Sequence, residues 1–165
     1  MADSYSIDAT LELVSQWRGE GLKVSFTNGV FDVLHVGHVA VLEAAAAEGD
    51  RLVVAVNSDE SVRRLRKGED RPIHGQANRA RLLAALRCVD AVVVFGDDTP
   101  LALVQAIKPE VLVKGGDYDP TYLDSSDPRY MVGSAEVRSW GGRVVAVPLV
   151  PGESTTATLK RIRES

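Results

Sequence analysis

Leu22-Lys23-Val24-Ser25-Phe26-Thr27-Asn28-Gly29-Val30-Phe31-Asp32, followed closely by His35-Val36-Gly37-His38, decides how this chain folds. Residues 22–27 form a short apolar run of strand character. Thr27-Asn28-Gly29 then supplies a turn whose glycine permits close backbone approach, and His38 opens the alanine-rich helical stretch 38–48. A helix that begins directly after a strand aims its unpaired amides at the connecting loop, which favours an anion there. Two imidazoles three positions apart, with glycine between them, can both donate to one polyphosphate. The bland alternative makes Gly29 and Gly37 turn glycines and the histidines polar caps; the position after the first strand of an alternating chain favours the phosphate cradle.

Working outward, Ile7, Leu11, Val14 and Trp17 recur at helical spacing until Gly19 and Gly21 end the pattern. Valine-rich runs follow at 52–57, 91–95, 111–114 and 144–149, separated by helical stretches at 59–66, 76–86, 100–107, 134–140 and 155–163. Strands buried on both faces read as such unbroken apolar runs. The alternation predicts an α/β, Rossmann-like three-layer fold, with a central parallel sheet of about five strands and right-handed crossovers. Ligands of such sheets sit beyond the carboxyl ends of the strands, where the strand order reverses. We expect one domain over residues 1–165, an N-terminal helix within 1–21 and a core over 22–163. Residues 117–132, rich in Asp, Ser, Pro and Tyr, form the longest connection without periodicity, an ordered but adjustable loop.

The chain has 165 residues, 45% hydrophobic and 25% charged, and no run approaches the roughly 20 apolar residues of a membrane span. Met-Ala-Asp-Ser-Tyr-Ser lacks the features of a secretory signal, and Cys88 is the only cysteine. These features predict a soluble, cytoplasmic protein with no membrane partner. The net charge of −4, from 19 basic and 23 acidic residues, argues against broad nucleic-acid binding. His35, His38, His74 and Cys88 complete no tetrahedral set and no H-E-x-x-H signature is present, so no protein-held metal is expected and a zinc hydrolase is disfavoured.

Thr27-Asn28-Gly29-Val30-Phe31-Asp32, His35-Val36-Gly37-His38, Lys114-Gly115-Gly116-Asp117-Tyr118 and Gly152-Glu153-Ser154-Thr155-Thr156 occur in the order found in cytidylyltransferase-like nucleotidyltransferases, which this chain resembles. With Ala55-Val56-Asn57-Ser58-Asp59, Arg71-Pro72, Asp98-Thr99-Pro100 and Leu112-Val113-Lys114, the similarity spans about residues 22–163. Within that superfamily it looks most like the heptose 1-phosphate adenylyltransferases of lipopolysaccharide-precursor synthesis.

The resemblance implies that a sugar 1-phosphate oxygen attacks the α-phosphorus of ATP, with Mg²⁺ accompanying ATP as co-substrate, to give ADP-heptose and pyrophosphate without a covalent enzyme intermediate. Such chemistry requires positioning and charge stabilisation more than a nucleophile. By resemblance His35 and His38 bind the triphosphate and stabilise the departing charge, Thr27 and the backbone from Asn28 through Gly29 and Val30 to Phe31 line the phosphates, and Gly37 belongs to the same motif. Asp32 either orients a donor or a Mg²⁺ shell, or caps the turn. Lys67 is the lysine expected to reach over the reacting phosphates, with Arg66 its competitor and a solvated helix end the plain reading. Arg79 is expected to hold phosphate oxygens with its planar guanidinium rather than a surface salt bridge. Asn57, Ser58 and Asp59 end a strand near the nucleotide or sugar, unless Ser58 or Asp59 simply caps the next helix. Lys114 is expected to touch ligand, Gly116, Asp117 and Tyr118 to border the nucleoside or sugar pocket, and Ser154, Thr155 and Thr156 to contact phosphates at the start of the last helix.

Enterobacterial members are fused to an N-terminal sugar kinase, so a separate heptose kinase upstream and a homodimer are expected partners, both by analogy. The loop at 118–132 is longer than its counterpart in the fused proteins, and Tyr122, Arg129 and Tyr130 shape either an acceptor pocket or a dimer contact. The rival readings are a cytidylyltransferase acting on glycerol 3-phosphate or another small phosphate ester, and a noncatalytic nucleotide-binding regulatory module.

Overall fold

The computed structural model describes residues 4–65, 71–116 and 118–164. Its centre is a six-stranded, wholly parallel sheet in the spatial order β1 (Ser4–Tyr5), β4 (Ala91–Phe95), β3 (Arg51–Asn57), β2 (Val24–Gly29), β5 (Val111–Gly115) and β6 (Arg143–Val147). The helices are α1 (Ile7–Gly19), α2 (Val36–Ala47), α3 (Asp59–Arg64), α4 (Gln76–Ala84), α5 (Leu101–Ile107), α6 (Ser134–Ser139) and α7 (Thr155–Arg163).

Strand side chains alternate between two apolar layers. Phe26, Val53, Ala55, Val93 and Leu112 pack with Val14 and Trp17 of α1 and Leu103 and Ile107 of α5. Their neighbours Leu52, Val54, Val56, Val92 and Val113 face the other way, onto Leu42 and Ala45 of α2 and Ala80 and Leu83 of α4. A strand covered on both faces needs apolar residues at consecutive positions, which is why the valine runs are unbroken. The expected three-layer Rossmann-like architecture is present. The sheet has one strand more than expected: β1 adds to its edge by pairing Ser4 with Val92 and Tyr5 with Val93. Two residues are too few to show periodicity, so the pairing is set by the open edge of β4 and not by the local sequence.

The two ends of the sheet differ in chemistry. At the amino ends, carboxylates take up strand-entry amides: Asp50 accepts from Lys23 N (2.9 Å), Glu110 from Val24 N (2.8 Å) and Asp90 from Leu52 N (2.8 Å). The carboxyl ends carry glycine, asparagine and lysine instead. The strand order reverses between β2, which continues to β3, and β5 on its other side. Asn28 and Gly29 end one of these strands and Lys114 and Gly115 the other, so the cleft where such sheets bind ligands opens between them. Among the described residues no helix is long and apolar enough to cross a membrane.

Candidate active site

Helix α2 starts at Val36, two residues earlier than the sequence implied, with the extended His35 (φ −143°, ψ 169°) as its cap residue. His38 therefore lies inside the first turn. That brings the two rings face to face, 3.8 Å between centroids and 26° between planes, while Phe31 meets His38 edge-on at 5.4 Å. Gly37 makes the stack possible: a Cβ there would lie 3.0 Å from the His35 ring and 3.4 Å from the Glu153 carbonyl. His35 Nδ1 is buried without a hydrogen-bond partner. Burial pushes the His35 pKa below its ordinary value, and the nearby Glu153 carboxylate partly opposes the shift.

These rings line a cavity of about 540 Å³ whose floor is the backbone of residues 28–31 and whose far wall is the start of α7. Ser154 caps α7 by accepting from Ala157 N (3.0 Å), and Thr155 Oγ1 donates to the Asp32 carbonyl (2.7 Å), stitching the last helix to the loop after β2. The amino ends of α2 and α7 thus converge on one space, with Ser154 and Thr156 exposed at its edge. Positive potential from both helix starts favours a polyanion there.

Phe31 (φ 52°) and Val33 (φ 50°) occupy the left-handed region, an unfavourable conformation for a β-branched or bulky residue. Three tethers hold the strained loop. Thr155 takes the Asp32 carbonyl, Arg79 takes the Val30 carbonyl, and the fully buried Asp32 carboxylate anchors residues 71–74 by accepting from Ile73 N (2.8 Å) and His74 N (2.9 Å). Arg71 Nε stands 2.7 Å from Asp32 Oδ2, an ion-pair approach without the alignment of a hydrogen bond. Burial by itself would raise the Asp32 pKa; the His74 and Ile73 amides and the Arg71 guanidinium outweigh it and hold the carboxyl below its ordinary value. Of the roles left open for Asp32, the structure shows anchorage of this second loop.

Several expected contacts are corrected. Arg79 is fully buried and its guanidinium faces protein acceptors: His74 O (2.8 Å), Val30 O (2.6 Å), Asn57 O (2.7 Å) and Asp59 Oδ1 (2.8 Å). With its donors engaged on those four acceptors, Arg79 is a strut beneath the site and not the expected phosphate ligand. Asp59 is its counter-ion, and Ser58 caps α3 by accepting from Ser61 N (3.1 Å), the capping role left open for it. Thr27 is 1% exposed inside the sheet and does not line this cavity, although its Oγ1 has no hydrogen-bond partner among the described residues. Gly116 packs beneath the Tyr118 ring, where an added Cβ would approach to 3.3 Å, and it is Gly115 that lines the cavity. Lys67 and Asp117 lie outside the described residues.

Lys114 bridges the reversal of strand order. Its ammonium donates to the Asn28 carbonyl (3.1 Å) and Oδ1 (2.8 Å) and lies 5.5 Å from the Tyr118 ring centre. Beyond it opens a second cavity of about 370 Å³, which shares Asn28, Gly29, Val30, Lys114 and Tyr118 with the first and extends to Asn57 and Thr99. The sequence reading assigned no role to Arg71 or Glu153, both of which line the cradle, or to Asp98 and Thr99, which line the second cavity. Their only signal was that they lie in stretches shared with the resembled family.

The cytidylyltransferase-like family model matches residues 26–153. Curated relatives named bifunctional protein HldE are 54% identical over 92% of this chain in Koribacter versatilis, and 47% identical over 95% in Methylobacillus flagellatus. The chain spans 29% and 30% of the length of those relatives. Among solved structures, a lipopolysaccharide core biosynthesis protein from Thermoplasma volcanium superposes with a TM-score of 0.59 at 28% identity, covering 79% of this chain and 98% of that one. Pantoate-beta-alanine ligase from Francisella tularensis shares the fold at 15% identity, with a TM-score of 0.65 over 98% of this chain and 73% of its own. The matched segment holds the glycine and histidine cradle after β2 and ends just before the cap of α7, and the chain belongs to the cytidylyltransferase-like family of nucleotidyltransferases.

Proposed function

We propose that this protein transfers AMP from ATP to a heptose 1-phosphate, forming ADP-heptose and pyrophosphate for surface-glycan assembly. The observation that carries the reading is the stacked His35–His38 pair, lining the same cavity as the start of α7, next to a second cavity that shares Asn28, Gly29, Val30, Lys114 and Tyr118 with it. ATP would lay its triphosphate in the cradle while the acceptor phosphate approaches from the second cavity. One oxygen of the already ionised sugar phosphate forms a bond to the α-phosphorus as the bridging bond to the β-phosphate breaks. The electron pair leaves with pyrophosphate, so no general base is required.

The chain's residues contribute by position and charge. Helix-start amides and the imidazoles donate to phosphate oxygens whose charge grows in the transition state, in a site partly shielded from water. Burial disfavours the charged form of the His35 ring, and an anion entering the cradle would favour it. Among the described residues no group of three or more side chains is arranged to hold a metal, and Glu153 is the lining carboxylate left once Asp32 is committed to residues 71–74. The lining would fit a Mg²⁺ ion carried by the phosphate oxygens, with Glu153 available to hold a water of its shell. When bound, the ion screens the triphosphate and draws charge from the leaving group.

On this reading a kinase acting earlier supplies the sugar 1-phosphate; the longer relatives are named as bifunctional proteins. The test is incubation of the protein and Mg²⁺ with ATP, CTP or GTP against a panel of sugar and polyol phosphates, measuring pyrophosphate and weighing the products. Release confined to ATP with heptose 1-phosphate is expected. Release with CTP and glycerol 3-phosphate would replace both substrates, and nucleotide binding without turnover across the panel would favour a regulatory module.

A further inference from the structure

Two surfaces of the chain carry an exposed aliphatic side chain among charges mostly of one sign, and the two signs are opposite. The first is the last turn of α7. Thr155, Thr158, Leu159 and Ile162 recur at helical spacing and form one stripe along this helix. Thr155 is buried and Thr158 and Leu159 are half-buried, but Ile162 is 66% exposed and residues 160–164 are all exposed. The stripe therefore runs on past the edge of the fold. Lys160, Arg161 and Arg163 flank its exposed end, with Glu164 the one acid, 3.7 Å from Lys160. Basic residues suit the carboxyl end of any helix, which accounts for the cations but not for an isoleucine left among them.

The second surface is the strap of residues 118–132, where Leu123 is 74% exposed. The strap is bonded to itself on both sides of that leucine. Asp119 accepts from Thr121 N (2.8 Å) and Thr121 Oγ1 (2.7 Å), and Asp124 from Ser126 N (2.9 Å) and Ser126 Oγ (2.7 Å). Tyr122 N donates to Asp119 O (3.1 Å), and the Arg129 guanidinium lies 3.9 Å from the Tyr122 ring centre while paired with Asp127 at 3.0 Å. Leu123 is thus presented as a knob on an ordered loop, and burying it costs little conformational entropy. Hydrogen bonds from Thr121 and Ser126 hold the Asp119 and Asp124 carboxyls below the ordinary carboxylate range, so both are ionised at neutral pH. The strap sets three aspartates against Arg129, and the α7 tail sets three cations against Glu164.

Tyr118 at the root of the strap and Glu153 to Thr156 at the start of α7 line the same cavity, so both surfaces spring from the carboxyl end of the sheet. We propose that the strap and the α7 tail are a docking surface for a second copy of this chain, with Leu123 of one protomer seated against Ile162 of the partner subunit. Charge selects this pairing. Strap against strap would oppose acids and tail against tail would oppose bases, whereas strap against tail joins opposite signs. A twofold pair makes the contact twice, once in each direction.

Sedimentation equilibrium of the full chain over a range of concentrations and salt tests the proposal. A dimer is expected whose dissociation weakens it several-fold between about 0.05 M and about 0.5 M salt, because the paired charges are exposed. Leu123→Lys and Ile162→Glu should each weaken self-association by at least about 10-fold. Both positions are exposed, and circular dichroism with thermal unfolding reports that each variant folds. An equimolar mixture of the two variants should associate more tightly than either alone, since one strap and one tail of the mixed pair are unaltered and the other contact gains opposite charges. A monomer at every concentration would leave these faces to a different protein and overturn the proposal. Self-association untouched by either substitution, or variants that do not complement each other, would overturn it as well.

Discussion

His38 is held from two sides, by the stacked His35 ring and by the edge of Phe31, which fixes its ring at the wall of the cavity. If its role is to meet charge developing on the phosphates, His38→Ala should lower kcat by about 10²–10³ with little change in thermal unfolding, a comparison of steady-state kinetics with Tm. Activity within a few-fold of the parent would sink the assignment. Glu153 bears on the neighbouring ring. Burial lowers the His35 pKa and the Glu153 carboxylate opposes that shift, so Glu153→Gln should move the His35 titration to still lower pH, followed through its ring-proton resonances. A titration that stays put or moves upward would show that the carboxylate does not act on the ring. Because a bound phosphate favours the imidazolium, nucleotide binding takes up a proton, and affinity should strengthen as pH falls toward the free-state value below about 6.5.

The loop of residues 30–35 is held in its strained shape by other elements, and Arg79 of α4 is the tether that joins the most of them. One guanidinium joins the end of β2 through Val30, the end of β3 through Asn57, the start of α3 through Asp59 and the loop at 71–74 through His74. Arg79→Met would leave Asp59 without its partner and three carbonyls without their donor, and should cost about 3–5 kcal/mol in denaturant unfolding. A loss under about 1 kcal/mol would show the strut to be dispensable. Asp32 does comparable work from the opposite side. Its folded pKa lies below the unfolded value, so its contribution is complete above about pH 4 and is lost as pH falls through the lowered value; Asp32→Asn should be less stable at neutral pH and should flatten the acid limb of a stability profile. Sequence could not separate these roles from ligand binding. Arg79 and Asp32 sit in family-like stretches, but whether a guanidinium faces a phosphate or a backbone carbonyl is decided by partners 20 to 49 residues away.

At the scale of the whole molecule, the sheet places two cavities side by side over the point where its strand order reverses, with Lys114 bonded across that point to Asn28. The five longer strands and the placing of the glycine turn and the paired histidines on one cavity were legible in the sequence, because burial on both faces demands unbroken valine runs and a strand, glycine turn and helix are contiguous in the chain. β1 was not legible, since the edge of β4 recruits it, and neither was the second cavity, which joins β2, β3, β5 and the strap across more than a hundred positions. The proposed function makes one central claim, that an oxygen of the acceptor's own phosphate attacks the α-phosphorus of ATP. The direct measurement uses heptose 1-phosphate carrying ¹⁸O in its phosphate, turned over with unlabelled Mg-ATP, with both products weighed by mass spectrometry. The account predicts that all of the label stays in ADP-heptose and that pyrophosphate carries none; label in the released phosphate, or release of ADP in place of pyrophosphate, would contradict it.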